Sequence, residues 1–140
     1  MNKNLVEALE ELINSKIENY SIPHVKGNSI RIKHLVVRYS NKAGWLIYDT
    51  KNNIQIAKMF CKTSAIALAK VLADNKSSQN KVLHLDKVIE KHYNDCVFYK
   101  HTMHKAKDDD VRYLNAQNRF DISIDITRHA KEELERIILS

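Results

Sequence analysis

A chain of 140 residues, 44% hydrophobic and 29% charged, is long enough for one domain with its own core and needs no disulfide or metal staple. No apolar run approaches the roughly 18 residues of a membrane span. The opening Met1-Asn2-Lys3-Asn4-Leu5-Val6-Glu7 lacks a signal-peptide stretch, and the net charge of +6 is concentrated in residues 29–81, which hold ten Lys or Arg against two acids. A field of that sign attracts phosphate, acidic protein or anionic lipid without choosing among them.

Glycine and proline are confined to Pro23, Gly27 and Gly44, so the 96 residues from Trp45 to Ser140 contain neither. Long helices are the natural outcome. In chain order, Leu5, Leu9, Leu12, Ile13, Ile17 and Tyr20 recur at three- and four-residue intervals, predicting an opening helix whose apolar stripe packs on the sheet that follows. Glu7, Glu10 and Glu11 favour its positive end, and Pro23 and Gly27 follow its close.

Between Ser29 and Phe60 the period changes to two. Ile30 to Tyr39 reads as one strand with a bulge near His34, Trp45 to Asp49 as a second and Ile54 to Phe60 as a third, with turns at Ser40–Gly44 and Thr50–Asn53. The expectation is a three-stranded antiparallel meander. A covering helix from Ser64 to Asp74, capped by Thr63 or Ser64, then presents Ala65, Ile66, Ala69 and Leu72 on one face.

Residues 75–81 are the most linker-like stretch and divide a module at 1–76 from one at 82–140, the two forming one compact unit. Val82, Leu85, Ile89, His92, Cys96, Tyr99, Met103 and Ala106 then mark a long amphipathic helix. Asp108-Asp109-Asp110, preceded by Lys105 and Lys107, suits a chain reversal, with one unbroken helix as the competing reading. Phe120 to Thr127 alternates like a strand, yet Ile122, Ile126, Ala130, Leu134 and Ile137 also form a helical stripe. Helix is favoured because the flanks are rich in helix formers, giving a hairpin roughly 40 Å long.

No constellation carries strong chemistry. His92 and Cys96 share a helical face near His101 and His104, but a zinc site needs three or four ligands. The acidic cluster lacks the spacing and distal Glu of a calcium loop. Neither a nucleophile elbow nor a Gly-rich phosphate loop occurs. No catalytic residue, cofactor or metal is therefore assigned, and two reduced thiols are expected in place of a disulfide. The basic sheet is the better candidate: Arg31, Lys33, Arg38, Lys42, Trp45, Lys51 and Lys58 combine phosphate-binding charge with a ring able to stack on bases. The alternative is that Trp45 is buried and the cations only keep one sheet face wet.

Trp45 to Asp49, Ile54 to Phe60 and Thr63 to Ala69 match a widespread small-module pattern of two strands and an Ala-lined helix. More broadly, Asp49-Thr50-Lys51-Asn52, Phe60-Cys61-Lys62-Thr63-Ser64-Ala65 and Tyr93-Asn94-Asp95-Cys96-Val97-Phe98-Tyr99-Lys100-His101-Thr102 make residues 29–140 resemble small uncharacterised proteins of T-even-like marine bacteriophages. That resemblance implies a phage setting, in the host cytoplasm or the virion, and transfers no site residues.

These readings converge on an α+β protein: an N-terminal helix, a three-stranded meander with its covering helix, and a long C-terminal α-helical hairpin. The expected role is a non-enzymatic structural or protein-interaction component, a phage virion or assembly protein, associating with itself or a protein partner through the long helices. The alternative is a nucleic-acid-binding accessory protein using the sheet at residues 29–81. No membrane partner is expected.

Overall fold

The computed structural model describes residues 24–25 and 29–140; the helix expected from Leu5 to Tyr20 lies outside them. The sheet runs β1 (His24–Val25), β2 (Ser29–Ile32), β3 (Leu35–Ser40), β4 (Gly44–Asp49) and β5 (Ile54–Met59), each antiparallel to its sequence neighbour. The three-stranded expectation is thereby corrected. Four strands of four to six residues form the sheet, and two-residue β1 extends its β2 edge.

The miss has a local cause. Ile30 to Tyr39 is two strands, since Ile32 pairs directly with Leu35 and Lys33-His34 is the whole connection. Lys33 takes φ +54° there, a left-handed conformation that composition assigns to Gly or Asn and seldom to lysine. The register irregularity falls instead on β5, where Ile47 pairs with Ala57 but Tyr48 pairs with Gln55, leaving Ile56 as the extra residue. At Gly44, φ is +86° and a Cβ would stand 3.0 Å from the Met59 carbonyl oxygen, so the tight β3–β4 connection requires glycine.

Helix α1 (Lys62–Ala73) touches β2, β3, β4 and β5 on one side and both later helices on the other. It is the middle of three layers. Thr63 to Ala69 and Val71 are all buried, so the one-sided stripe expected of a covering helix is replaced by burial all round. Alanines at 65, 67 and 69 keep the helix thin enough for sheet and helices to approach it from opposite sides. Its cap is Cys61, whose Sγ accepts from the Ser64 N–H at 3.4 Å, while Thr63 and Ser64 lie inside the helix. The C-terminus closes without glycine: the Lys76 N–H donates to the Val71 carbonyl at 2.9 Å and the Asn75 N–H to that of Leu72 at 3.3 Å, with Asn75 at φ +54°. This paired bonding satisfies the last carbonyls of the helix.

Helices α2 (Gln79–Lys105) and α3 (Asp110–Leu139) form the expected antiparallel hairpin, and residues 119–127 are helical. At 27 and 30 residues they run roughly 40 and 45 Å. Asp109 caps α3, its carboxylate accepting from the Arg112 N–H at 3.2 Å. The inward stripe of α2 is the expected one, with Val82, Leu85, Ile89, Cys96, Met103 and Ala106 buried. On α3 it is shifted: Ala116, Phe120, Ser123, Thr127, Ala130, Leu134 and Ile138 face inward, and Ile122 is 59% exposed. The seam accepts polar residues because they satisfy one another; Thr127 Oγ1 donates to the Ser123 carbonyl at 2.9 Å, and Ser123 Oγ lies 3.4 Å from His92 Nδ1.

Candidate functional surfaces

Strand alternation sorts the basic residues named above. Ile30, Val37 and Ile47 point into the core toward α1, so Arg31, Arg38 and Lys58 point the other way, across from Val36, Leu46 and Tyr48. Arg38 lies over the Tyr48 ring at 5.6 Å. The remainder of the set is dispersed. Lys33 Nζ is 2.8 Å from the Asp74 carboxylate at the end of α1, holding that carboxyl below its ordinary range through their hydrogen bond. Lys42 lies in the β3–β4 connection and Lys51 in the β4–β5 connection, at opposite ends of the sheet.

Trp45 belongs to the α1 side, half-buried against the core, 5.1 Å from the Tyr39 ring and beneath Lys62 Nζ at 5.6 Å. Three of the seven residues therefore share one surface, and the stacking ring is not on it.

The titratable clusters are built for structure. Asp86 of α2, 7% exposed, accepts from the Phe60 N–H at 2.9 Å and the Cys61 N–H at 3.2 Å, serving the start of α1 from another element. Burial, and secondarily this carboxylate, push the Cys61 thiol up to about 12. Asp86 borders an open groove of about 570 Å³ between the β3–β4 connection and α2, lined also by Lys42, Lys58, Lys87 and Glu90. Burial likewise pushes Cys96 up to about 12, far from the thiolate a nucleophile needs. His92 stands near both a serine and an aspartate, but Ser123 Oγ and Asp95 Oδ2 approach the same ring nitrogen, at 3.4 and 3.7 Å. A proton relay needs them on opposite nitrogens. Among the described residues, no group of three or more His, Cys, Asp or Glu could hold a metal ion.

No family model, curated protein or solved structure matches the chain. Among the described residues, no helix is long and apolar enough to cross a membrane.

The hairpin carries the other surface. Among the described residues, its ties to the sheet and α1 fall on its open end: Asp86 to Phe60 and Cys61, the Phe60–Tyr93 ring contact at 5.4 Å, Lys70 Nζ to the Ile138 carbonyl, and Lys76 Nζ to that of Ser140 at 3.1 Å. Past Tyr93 the buried positions thin to one stripe per helix, Cys96 and Met103 against Ala116 and Phe120. Here the large apolar side chains open to water accumulate: Val97 at 41%, Phe98 at 64%, Val111 at 70%, Leu114 at 54% and Ile122 at 59%. Val111, Leu114, Asn118 and Ile122 follow a 3-4-4 spacing, which places them on one face of α3 directly away from α2. That second stripe is visible in the sequence once the inward one is placed at Ala116, Phe120 and Ser123; assigning Ile122 to the inward stripe hides it.

Proposed function

We propose that this chain is a non-enzymatic structural or protein-interaction component whose working part is the projecting half of the α2–α3 hairpin, associating with a second copy of itself. The observation that carries this reading is the outward stripe Val111, Leu114 and Ile122, 54 to 70% exposed on a projection that is two helices thick among the described residues. A stripe of this spacing is the seam of a helical bundle lacking its other half. Asn118, lying within it, is the kind of polar residue that fixes register between paired helices.

A like copy suits the charge. Residues 93–122 hold five Lys or Arg and five Asp, so two projections meet without net repulsion, whereas two basic sheets would repel. A twofold contact also needs only one surface complementary to itself. The setting, in the same reading, is a phage particle or its assembly, tested by looking for the chain in purified particles and in infected-cell extract.

Sedimentation across micromolar concentrations tests the association. The expected result is a dimer that Leu114→Gln/Ile122→Gln converts to monomer with helicity unchanged. A monomer at high micromolar concentration, or a dimer indifferent to these substitutions, overturns the reading.

A second reading, polyanion binding by the sheet, is supported by the convergence of Arg31, Arg38 and Lys58 on one face. It predicts affinity for single-stranded nucleic acid that falls steeply with salt and is lost when those three residues become alanine.

A further inference from the structure

The two edges of the sheet are finished differently. At one edge lies β1, two residues long, and so short a strand offers almost no ladder to a further chain. The other edge is β5, six residues long. Among the described residues no strand lies beyond it, and no turn or loop hydrogen bond reaches the backbone of Ile54–Met59. Alternate residues of such a strand turn both N–H and C=O away from their paired neighbour, and the extra residue Ile56 adds one irregular unit to that row. Apolar side chains stand beside it in water: Ile54 is 52% and Ile56 39% exposed.

We infer that β5 is a docking edge for an extended, acidic segment of a partner protein, which joins the sheet as a further strand. Main-chain pairing would supply the affinity, and the side chains of β5 set the chemistry of the partner. Ile54, Ala57 and Met59 lie opposite Asp49, Ile47 and Trp45 on the α1 side, whereas Gln55 and Lys58 lie opposite Tyr48 and Leu46 on the side of Arg38. A segment that alternates aliphatic residues with carboxylates therefore sets its apolar face beside Ile54 and its charges beside Lys58.

Charge selects this partner over a second copy. Residues 50–62 hold Lys51, Lys58 and Lys62, one before, one within and one after the strand, and no acid. Two β5 edges brought together would crowd these lysines, and like charges across adjacent strands are destabilising. An acidic segment meets them with the opposite sign, which favours encounter and register together. Lysine and a bulge are also the devices by which a sheet edge discourages indiscriminate pairing. For an acidic strand the same lysine becomes an attraction.

The test uses the full chain and an end-blocked decapeptide alternating glutamate with valine, followed by fluorescence anisotropy and by amide hydrogen exchange. The expected result is micromolar binding, with exchange within Ile54–Met59 slowed about tenfold or more in the complex. Lysine in place of the peptide's glutamates is expected to weaken binding about tenfold or more. Two prolines at the peptide's centre, which remove donors and break the ladder, are expected to abolish it. Ile54→Thr/Ile56→Thr keeps the strand preference while removing the exposed aliphatic surface, and is expected to weaken binding about fivefold with the circular dichroism unchanged.

Absence of binding at millimolar peptide, binding indifferent to the prolines, to the lysines or to Ile54→Thr/Ile56→Thr, or slowed exchange confined to other segments overturns the inference. Should the threonine variant fail to fold, the three peptides on the unmodified chain decide by themselves. A parent dimer that Ile54→Thr/Ile56→Thr converts to monomer would seat a second copy on this edge and also overturn it. Leu114→Gln/Ile122→Gln leaves β5 untouched, so this inference and the proposed self-association fail separately.

Discussion

Lys131 and Glu135 sit one turn apart on α3 with Nζ and Oε1 at 3.2 Å, their side chains 3% and 10% exposed. The ion pair sets one nearly buried charge against the other. Lys131→Met removes the nearest cation from a buried carboxylate and is expected to destabilise the fold by about 3–5 kcal/mol, whereas Lys131→Met/Glu135→Leu is expected to come within about 1 kcal/mol of the parent or exceed it. Urea denaturation of the two single variants and the double variant measures this as a cycle.

Asp86 acts on an element it does not belong to. Asp86→Ala leaves the Phe60 and Cys61 N–H groups without their acceptor at the start of α1, for a loss of about 2 kcal/mol. Asp86→Asn keeps one acceptor oxygen and is expected to lose about half as much. Thermal unfolding followed by far-ultraviolet circular dichroism ranks the two.

Both cysteines should report unfolding of the whole core. With Cys61 and Cys96 each pushed up to about 12 by burial, reaction with a disulfide reagent at pH 8 should be negligible in the native protein and complete in denaturant. Rapid native reaction of either thiol would contradict the packing described for α1 or the hairpin seam.

Acid should loosen the hairpin through His92. Burial, with help from Lys91, lowers its affinity for a proton and outweighs the opposing pull of Asp95, so the unfolded chain binds that proton first. Stability from this group is complete above about pH 6.5 and falls as pH drops through the unfolded value toward the folded one, then levels. His92→Gln should flatten the pH dependence of the urea midpoint between pH 7 and 5.5. An unchanged slope would assign it to another group.

What the sequence made legible follows from which signals are long. The hairpin was readable because α2 repeats its apolar spacing over about seven turns, and because Lys105, Lys107 and three aspartates mark the reversal. The β2–β3 connection was not, because Lys33 bears a positive φ with no residue type to announce it. The inward face of α3 was hidden for a related reason: Ser123 and Thr127 are polar by composition but satisfied in place, while Ile122 is apolar and faces water. Among the basic residues, Lys33 was grouped with the rest of the sheet's cations because Ile30 to Tyr39 reads as one strand, and the turn at Lys33 carries its side chain to Asp74 instead.

Among the described residues the hairpin meets the sheet and α1 at its open end, so within them its far half is a boom whose length is set independently of those layers. Adding or removing seven residues on each helix beyond Tyr93 would move the tip by roughly 10 Å while keeping every facing pair in phase. A ruler can be built this way, its reach adjusted by whole heptads, and the Lys107–Asp109 reversal is the place where inserted sequence would disturb least.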